Sequence, residues 1–446
     1  MKDTFKTHNL HWQSSELFTM QDPQLCNLPK QMFTCRPLLL DQFPTVIPGI
    51  YTVSGGRQIG KTTLLKQWML ILLENGHQAE SVYFMTGELI DDHMSLIQII
   101  QDYLGEHSSP NTLNYILIDE VTYINNWDQG IKYLADIGAF ENVIVMITGS
   151  DITFVQEARM RFPGRRGHAD QVDFHLLPLS FRDFIDLKFK NSSPLSTDTL
   201  YDEFDLYLKH GGFLTAINCF AKFGSITPSV YRTYSDWIRG DVIRQGKSET
   251  FLKEVLLAIF KTYNTQVTWN SLAHHTSIDH PSTIQSYIHL LEAMDVLYVQ
   301  SALLENKLLA APKKAKKIIF KDPFIFHAIR HWILPTKVDD MDVIPALVEG
   351  CVVNHYQRLY PSFYIKAEGE VDLAYIDNEK FFPVEVKWTR QMRPKDLKQI
   401  CKYSNALILT RSKEPGLINH VPTEPLPLHL YNFCLRLPSG LAKSIS

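Results

Sequence analysis

The fold is decided by Gly55-Gly56-Arg57-Gln58-Ile59-Gly60-Lys61-Thr62-Thr63, which fits the pattern G-x-x-x-x-G-K-[ST] of a phosphate-binding loop. Residues 50–53 before it are typical of a buried strand, and residues 64–73 after it of a helix. In such a strand–loop–helix the glycines let backbone N–H groups turn toward phosphates, and the helix N-terminus adds partial positive charge. We therefore expect this stretch to bind ATP, with Lys61 at the β- and γ-phosphates and the Thr62 hydroxyl as a ligand of Mg²⁺. The alternative, a glycine turn followed by a surface lysine, does not account for the flanking strand and helix.

The composition is that of a globular protein with more than one domain, since the chain has 446 residues of which 45% are hydrophobic. A net charge of −4 excludes a uniformly basic nucleic-acid coat but leaves room for a local basic groove. The six cysteines show no C-x-x-C spacing, so we interpret them as reduced thiols without a zinc site. No apolar run is long enough to span a bilayer, and residues 1–15 lack the apolar core of a signal peptide. These features predict a cytoplasmic protein without a membrane partner.

Strand and helix patterns alternate after the loop. The further strand candidates are residues 81–85, 115–118, 143–147 and 172–176. This alternation predicts a parallel sheet covered by helices on both faces, in a P-loop domain over residues 46–178. Residues 1–45 alternate proline with short apolar runs, and we expect them to form an irregular segment packed on that domain.

The strand at residues 115–118 ends in Asp119-Glu120, as a Walker B element requires. Ligands of open α/β sheets bind at the carboxyl ends of the strands, next to the phosphate-binding loop. We expect Asp119 to hold Mg²⁺ and Glu120 to orient and deprotonate the attacking water. A solvated acidic pair at a strand end is the alternative.

The strand at residues 143–147 is followed by Thr148-Gly149-Ser150. We predict that Thr148 contacts the γ-phosphate or positions the water, with Ser150 as the second choice; both are alternatively plain turn residues. An arginine cluster follows around Pro163-Gly164, and its members are Arg159, Arg161, Arg165 and Arg166. Such a loop suits an arginine finger that stabilises transition-state charge, but it is equally typical of a solvated basic loop.

Several of these runs together resemble a group of prokaryotic AAA-type ATPases that carry a C-terminal domain of unknown function. The runs are Gly-Gly-Arg-Gln-Ile-Gly-Lys-Thr-Thr-Leu-Leu (55–65), Ile-Leu-Ile-Asp-Glu (116–120), Thr-Gly-Ser (148–150), Pro-Gly-Arg-Arg (163–166) and Leu-Pro-Leu-Ser-Phe-Arg-Asp-Phe (177–184). The resemblance implies an AAA+-like core, a helical lid over residues 179–262, a winged helix over 263–316 and a nuclease-like tail over 317–446. It also implies that Arg165, after Pro-Gly, is the finger. Tyr207–Phe213 matches the lid motif, although Leu214 stands where the family has proline.

The second helix of the predicted winged helix spans residues 281–291 and carries no Arg or Lys. This favours a structural or protein-binding role over insertion into a DNA groove. Lysines crowd the following junction, namely Lys307, Lys313, Lys314, Lys316, Lys317 and Lys321. We interpret the run as a solvated linker, with phosphate contact as the alternative.

The tail is predicted to begin with a strand at residues 318–320 and a helix at 323–332. The elements that follow are a helix at 342–356, strands at 363–366, 371–376 and 381–387, a basic helix at 394–403 and a strand at 406–410. From the helix at 342–356 onward, this order resembles the core of PD-(D/E)xK nucleases. Arg393, Lys395, Lys398 and Lys402 belong to the basic helix or precede it, and we expect them to follow a DNA backbone.

The motif residues of the tail are Asp372 and the Glu385-Val386-Lys387 run, in which period-two geometry places Glu385 and Lys387 on one face. Asp372 and Glu385 are expected to bind Mg²⁺ together with Glu349 from the preceding helix. Lys387 would orient the water or balance developing charge. The alternative is a degenerate domain in which Glu385 and Lys387 form a salt bridge.

The predicted fold class is therefore α/β: an AAA+-like P-loop NTPase with a parallel sheet, then a helical lid and winged helix, then an α/β PD-(D/E)xK nuclease-like domain. The predicted function is an ATP- and Mg²⁺-dependent DNA-processing or defence protein, a homo-oligomer if a neighbouring subunit supplies the arginine. The rival interpretation is an ATP-driven signalling or interaction switch whose tail binds a partner without cutting. A transcription regulator acting through the winged helix is a third and weaker interpretation.

Overall fold

A computed structural model describes residues 3–107, 112–150, 158, 160–190, 195–334, 343–389 and 397–433. The chain divides into two compact units, an N-terminal unit over Met1–Leu177 and a C-terminal unit over Pro178–Lys443. The segments predicted as lid, winged helix and tail all lie in the C-terminal unit. Arg159, Arg393 and Lys395, which the sequence singled out, lie outside the described residues.

The N-terminal unit is built on a sheet of five parallel strands in the order β2-β3-β4-β1-β5. The strands are β1 (Gly49–Ser54), β2 (Val82–Thr86), β3 (Asn114–Asp119), β4 (Val143–Gly149) and β5 (Asp173–His175). The helices are α1 (Ser15–Gln21), α2 (Lys61–Glu74), α3 (His93–His107) and α4 (Trp127–Asp136). Alternate strand residues enter two different hydrophobic cores, one on each face of the sheet. The predicted parallel sheet with two covered faces is present.

The N-terminal segment covers the edge strand β2. The Asn9 side chain donates to the Phe84 carbonyl at 2.8 Å and accepts from the Phe84 N–H at 2.8 Å, as a neighbouring strand would. The Trp12 indole donates to the Val82 carbonyl at 2.9 Å. These side chains satisfy edge groups that would otherwise be free to pair with another chain. The segment consists of α1 and short 3₁₀ turns rather than a further strand.

The C-terminal unit begins with seven described helices in the region predicted to form a lid and a winged helix, and both assignments stay predictions. They are α5 (Phe181–Phe189), α6 (Thr197–His210), α7 (Leu214–Phe223), α8 (Pro228–Arg244), α9 (Glu249–Lys261), α10 (Trp269–Ala273) and α11 (Pro281–Ala293). The turn between α6 and α7 explains two runs of the family resemblance. Leu179 N–H donates to the Gly212 carbonyl at 2.9 Å, and a Cβ on Gly212 would lie 2.0 Å from the Leu179 oxygen. The two runs therefore form one close backbone contact that only glycine permits.

Four short strands and a helix follow: β6 (Leu297–Ser301), β7 (Leu303–Leu304), β8 (Leu309–Ala310), β9 (Lys316–Phe320) and α12 (Pro323–Ile333). Strand β9 pairs antiparallel with β6, with Gln300 opposite Lys317. Residues 318–320, predicted to begin the tail, thus pair with β6 and not with the second sheet. The strand belongs to the segment before it because its apolar residues Ile319 and Phe320 complete the β6–β9 pair.

The remaining elements form a second sheet in the order β10-β11-β12-β13-β15-β14. They are α13 (Ile344–Gln357), β10 (Ser362–Lys366), β11 (Glu370–Asp377), β12 (Lys380–Lys387), β13 (Leu407–Thr410), β14 (Gly416–Ile418), β15 (Val421–Pro425) and α14 (Leu426–Phe433). β10, β11 and β12 are antiparallel neighbours, whereas β12, β13 and β15 run parallel. The predicted helix, three strands and later parallel strand are observed. Of the predicted basic helix, the structure describes a short 3₁₀ turn at Ile400–Lys402.

Two candidate sites at strand ends

The phosphate-binding loop joins β1 to the start of α2. Gly60 has φ +108°, a left-handed value that suits glycine, and α2 begins at the next residue, Lys61. The Lys61 ammonium donates to the Gly55 carbonyl at 3.0 Å and to the Gly56 carbonyl at 3.3 Å. The lysine therefore folds back over the loop, in the position from which it can meet phosphates.

The other residues predicted to bind ATP contact neighbouring parts of the protein or shape the loop backbone. The Arg57 guanidinium donates to the Tyr123 hydroxyl at 2.5 Å, and Gln58 has a positive φ of 59°. Ile59 packs against a hydrophobic core of the sheet. Thr63 lies in the first turn of α2. Their predicted contact with ATP stays a prediction.

Asp119 connects the start of α2 to strand β4. Its Oδ2 accepts a hydrogen bond from the Thr62 hydroxyl at 2.6 Å, and its Oδ1 accepts one from the Thr148 hydroxyl at 2.7 Å. Burial raises the pKa of Asp119, while the two hydroxyl donors lower it. A hydroxyl and a carboxylate are thus adjacent at the start of α2, and both are ligand types that Mg²⁺ prefers.

Glu120 follows in a left-handed conformation with φ 50°. Its carboxylate lies 3.3 Å from the Lys61 ammonium and accepts from the Ser150 hydroxyl at 2.5 Å. Burial alone would raise the pKa of Glu120, but Lys61 and Ser150 lower it below its ordinary value. The Glu120 N–H donates to Thr148 Oγ1 at 2.8 Å. Thr148 thus ties both acids together, and Ser150, the second choice, contacts the predicted base.

The arginine cluster is anchored away from the loop. Arg165 pairs with Asp136 at the end of α4, and Arg161 pairs with Asp128. Among the described residues, no hydrogen bond or ion pair joins Arg165 to the phosphate-binding loop of its own chain. Arg166 is buried: it pairs with Asp173 at 2.6 Å and donates to carbonyls of β1 and of the segment before β5. This guanidinium therefore joins β1 to β5 and to the segment before β5.

In the C-terminal unit, Asp372 and the Glu385–Lys387 run meet on neighbouring strands. Asp372 Oδ2 accepts from the Val386 N–H at 2.9 Å. The Lys387 ammonium lies 2.5 Å from Glu385 Oε1, so the two predicted motif residues pair with each other. Burial raises the pKa of Glu385 well above its ordinary value, and the nearby Asp372 carboxylate raises it further. Glu385 therefore faces a lysine and the strand β11.

A second acidic cluster lies beside this pair. One carboxylate oxygen from each of Glu349, Glu370 and Asp372 lies within 4.8 Å of the others. Lys317 enters the cluster, with its Nζ 2.7 Å from Glu349, in contact with Glu370 and 3.7 Å from Asp372. Burial raises the pKa of Glu349 to about 8, and Asp372 raises it while Lys317 lowers it. Two residues of the predicted metal set, Glu349 and Asp372, thus lie together with Glu370, whereas the third, Glu385, pairs with Lys387.

The sequence analysis did not single out Glu370 or a buried role for Lys317, although the two-residue period of a strand gave a signal for each. Glu370 precedes Asp372 by two residues on β11 and so shares its face. Lys317 precedes the buried Ile319 by two residues on β9. A lysine two residues before a buried isoleucine on the same strand was a signal for a buried partner.

Among the other junction lysines, Lys307, Lys313 and Lys314 are exposed, as predicted for a solvated run, whereas Lys321 departs from that prediction. Lys321 donates to the Gln357 side chain at 2.7 Å, and burial lowers the pKa of Lys321. Lys314 donates to the Lys366 carbonyl at 2.9 Å. In the predicted basic helix, Lys402 is exposed and pairs with Glu368 at 2.6 Å. That the predicted basic helix follows a DNA backbone stays a prediction.

Part of the N-terminal unit matches a known family model. Residues 48–185 match the family model of the AAA domain. An uncharacterized protein of Haemophilus influenzae is 26% identical over 261 residues, which is 56% of this chain and 61% of the relative. One of Methanocaldococcus jannaschii is 27% identical over 227 residues, 50% of this chain and 44% of the relative. The alignments therefore span less than two thirds of either relative.

Two solved structures give distant likenesses. The Aeropyrum pernix ORC1 protein in complex with DNA is 11% identical with a TM-score of 0.35, covering 72% of this chain and 96% of that one. AMPPCP-bound DnaA from Aquifex aeolicus is 13% identical with a TM-score of 0.28, covering 57% and 84%. Both scores are too low to bear on function. Among the described residues, no helix is long and apolar enough to cross a membrane.

Proposed function

Because the chain contains an AAA domain, we propose that its N-terminal unit binds ATP and hydrolyses it with Mg²⁺. The observation that carries the proposal is the join between loop and strand, where Thr62 donates to Asp119 at 2.6 Å and Lys61 lies 3.3 Å from Glu120. Four residue types that ATP hydrolysis needs thus come together: a phosphate-binding lysine, a hydroxyl, a metal-binding carboxylate and a base.

The residues present fit the cofactor pair. Thr62 and Asp119 would hold Mg²⁺, which when bound neutralises charge on the phosphates. Lys61 binds the phosphates from the same loop. Glu120, kept ionised by Lys61 and Ser150, accepts the proton of the attacking water. Thr148 holds the carboxylate of Asp119 and the backbone of Glu120 in register.

Removal of the loop lysine tests this proposal. Lys61→Ala should abolish ATP hydrolysis and weaken ATP binding, because the cation at the phosphates is lost. The matched control is Lys132→Ala, an exposed lysine of α4 in the same unit, which should hydrolyse at the wild-type rate. Release of inorganic phosphate and ATP titration measure the two effects. Undiminished hydrolysis by Lys61→Ala would refute the assignment.

For the C-terminal unit we propose a PD-(D/E)xK-like domain that binds DNA and is controlled by the ATP cycle. The helix, three-strand and parallel-strand order supports this, together with Asp372 and Glu385 on adjoining strands. The described arrangement does not fit a metal, however, because Lys317 and Lys387 occupy the space beside the carboxylates. No catalytic step through a metal follows from it. We therefore propose DNA binding without cleavage, which agrees with the rival interpretation of an ATP-driven switch whose tail binds without cutting.

Incubation with DNA and with RNA, with and without Mg²⁺, Mn²⁺ and ATP, separates binding from cleavage. The proposed function predicts DNA binding that weakens steeply with salt, and no cleavage. Cleavage that Asp372→Ala or Glu385→Ala removes, with ATP hydrolysis intact, would instead establish the DNA-processing function. Binding of neither nucleic acid would leave a protein as the partner of the switch.

A further inference from the structure

The acidic centre of the C-terminal unit, formed by Glu349, Glu370 and Asp372, has its negative charge matched from within the chain. The three carboxylates come from α13 and β11, and the Lys317 ammonium comes from β9. Only 2% of the Lys317 side chain is exposed. A buried lysine in contact with carboxylates is held there by charge, because removal of either partner would leave the other unpaired.

The backbone that carries Lys317 is fixed against the sheet. Gln300 lies opposite Lys317 in the β6–β9 pair and is fully buried. Its side-chain amide donates to the carbonyls of Phe363 on β10 and Asp372 on β11, each at 3.0 Å. The lysine thus lies on β9, whose partner strand β6 is bonded to the sheet that carries Asp372 and Glu370.

The carboxylates also accept hydrogen bonds from other groups of the protein. Glu370 accepts from the Gln266 amide as well as from Lys317. Asp372 accepts from the Val386 N–H at 2.9 Å. A divalent cation needs oxygen ligands at about 2.0–2.6 Å, and here an ammonium lies among those oxygens instead.

We propose that Lys317 takes the place of a divalent cation in this acidic centre and keeps the centre closed to Mg²⁺ and Mn²⁺. Withdrawal of the ammonium leaves three carboxylates at ligand spacing, which then bind the metal. The inference rests on the proposed non-cutting function of the tail and gives its physical cause. Its measurement is metal binding, so a result on DNA cleavage does not decide it.

Mn²⁺ binding to the full chain without nucleotide, followed by electron paramagnetic resonance, tests the proposal. Lys317→Met keeps the side-chain length and removes the charge, and should bind one Mn²⁺ more than wild type, at least about tenfold more tightly at this centre. Adding Asp372→Asn to Lys317→Met should remove the gained ion. The control Lys313→Met removes an exposed lysine of the same segment and should match wild type. Any Mn²⁺ at Thr62 and Asp119 is common to all four proteins.

Repulsion among the carboxylates could unfold Lys317→Met, and thermal melting would reveal this. A second pair of variants provides the test in that case. Glu370→Gln lowers that repulsion, so Lys317→Met/Glu370→Gln should bind Mn²⁺ more tightly than Glu370→Gln alone. Equal binding within either folded pair, or a wild-type Mn²⁺ site that Asp372→Asn abolishes, would overturn the proposal. Gained Mn²⁺ without cleavage keeps both proposals. Wild-type cleavage would refute the proposed tail function by itself.

Discussion

Two centres of this protein combine a lysine with carboxylates at strand ends, and they differ in what the lysine does. In the N-terminal unit, Lys61 donates to two neutral backbone carbonyls and stands 3.3 Å from Glu120. In the C-terminal unit, Lys317 lies 2.7 Å from Glu349 and also contacts Glu370. The first lysine thus meets two neutral carbonyls and one carboxylate, whereas the second lies among three carboxylates of its own chain.

The source of each lysine explains the difference. Lys61 begins a helix beside a glycine loop, so its charge adds to a surface of N–H groups that attracts anions. Lys317 lies on a strand whose neighbour, Gln300, is bonded to the sheet that carries the acids. We call the first centre open because its lysine begins a helix after a glycine loop that we propose to receive phosphates, and the second closed because the chain itself supplies the counterion of the acids.

The largest expected effect tests whether the first centre is open and catalytic. Glu120→Gln should lower kcat for ATP hydrolysis by up to about 10⁴-fold while ATP stays bound, because only the base is lost. The control Glu88→Gln changes an exposed glutamate after β2 and should leave kcat unchanged. Phosphate release and ATP titration measure both variants. Wild-type turnover by Glu120→Gln would show that Glu120 is not the base.

The next effect asks whether a cation reaches this open centre from another copy. Arg165 is partly exposed and pairs with Asp136, so as a finger it would serve a neighbouring chain. Arg165→Ala should then lower kcat by about 10³-fold with little change in ATP affinity, and wild-type activity per chain should rise with protein concentration. Its neighbour gives the contrast, since Arg166→Ala should reduce the stability of the N-terminal unit. Equal kcat for Arg165→Ala would return it to a solvated loop.

A third prediction concerns the Glu385–Lys387 pair of the closed centre. Glu385→Ala should lower the free energy of unfolding by about 3 kcal/mol, because Lys387 is left partly buried without its counterion. The double change Glu385→Ala/Lys387→Ala should recover part of that loss. Urea unfolding measures both. The exposed pair of Lys402 and Glu368 is the control, and Glu368→Ala should have little effect on stability. A stable Glu385→Ala protein would indicate that the pair adds nothing.

The smallest expected effect concerns the buried His355 of α13 and the dependence of stability on pH. Burial lowers the pKa of His355 to about 3; its Nε2 accepts from the Phe181 N–H and its Nδ1–H donates to the Cys351 carbonyl. Since the folded pKa lies below the unfolded value near 6.5, this stability is complete above pH 6.5 and is lost as pH falls. Between pH 6.5 and 5 the loss should be about 2 kcal/mol.

Hydrogen exchange of α13 amides in the full chain follows this loss. His355→Gln should flatten the pH dependence, while the exposed His420→Gln should keep it. An unchanged slope in His355→Gln would place the acid sensitivity elsewhere in the C-terminal unit.

The sequence by itself determined the parts whose geometry is local. Residues 55–63 and the Asp119-Glu120 pair lie at the end of a strand or between a strand and a helix, and short-range spacing fixes such turns. Four of the five parallel strands followed from apolar runs, because a strand buried on both faces has no polar alternation. The period of two also placed Glu385 and Lys387 on one face.

Only the tertiary structure decided which charges meet. Arg165 and Arg166 are adjacent in sequence, yet one reaches an exposed carboxylate and the other is buried against β1. Lys317 stands in a run of lysines that resembles a linker, and its partners follow 32 to 55 residues later on α13 and β11. Periodicity reports which face of an element is buried, but not which element covers that face. The partner of a buried charge is therefore set by long-range packing, and here that packing closes the second centre.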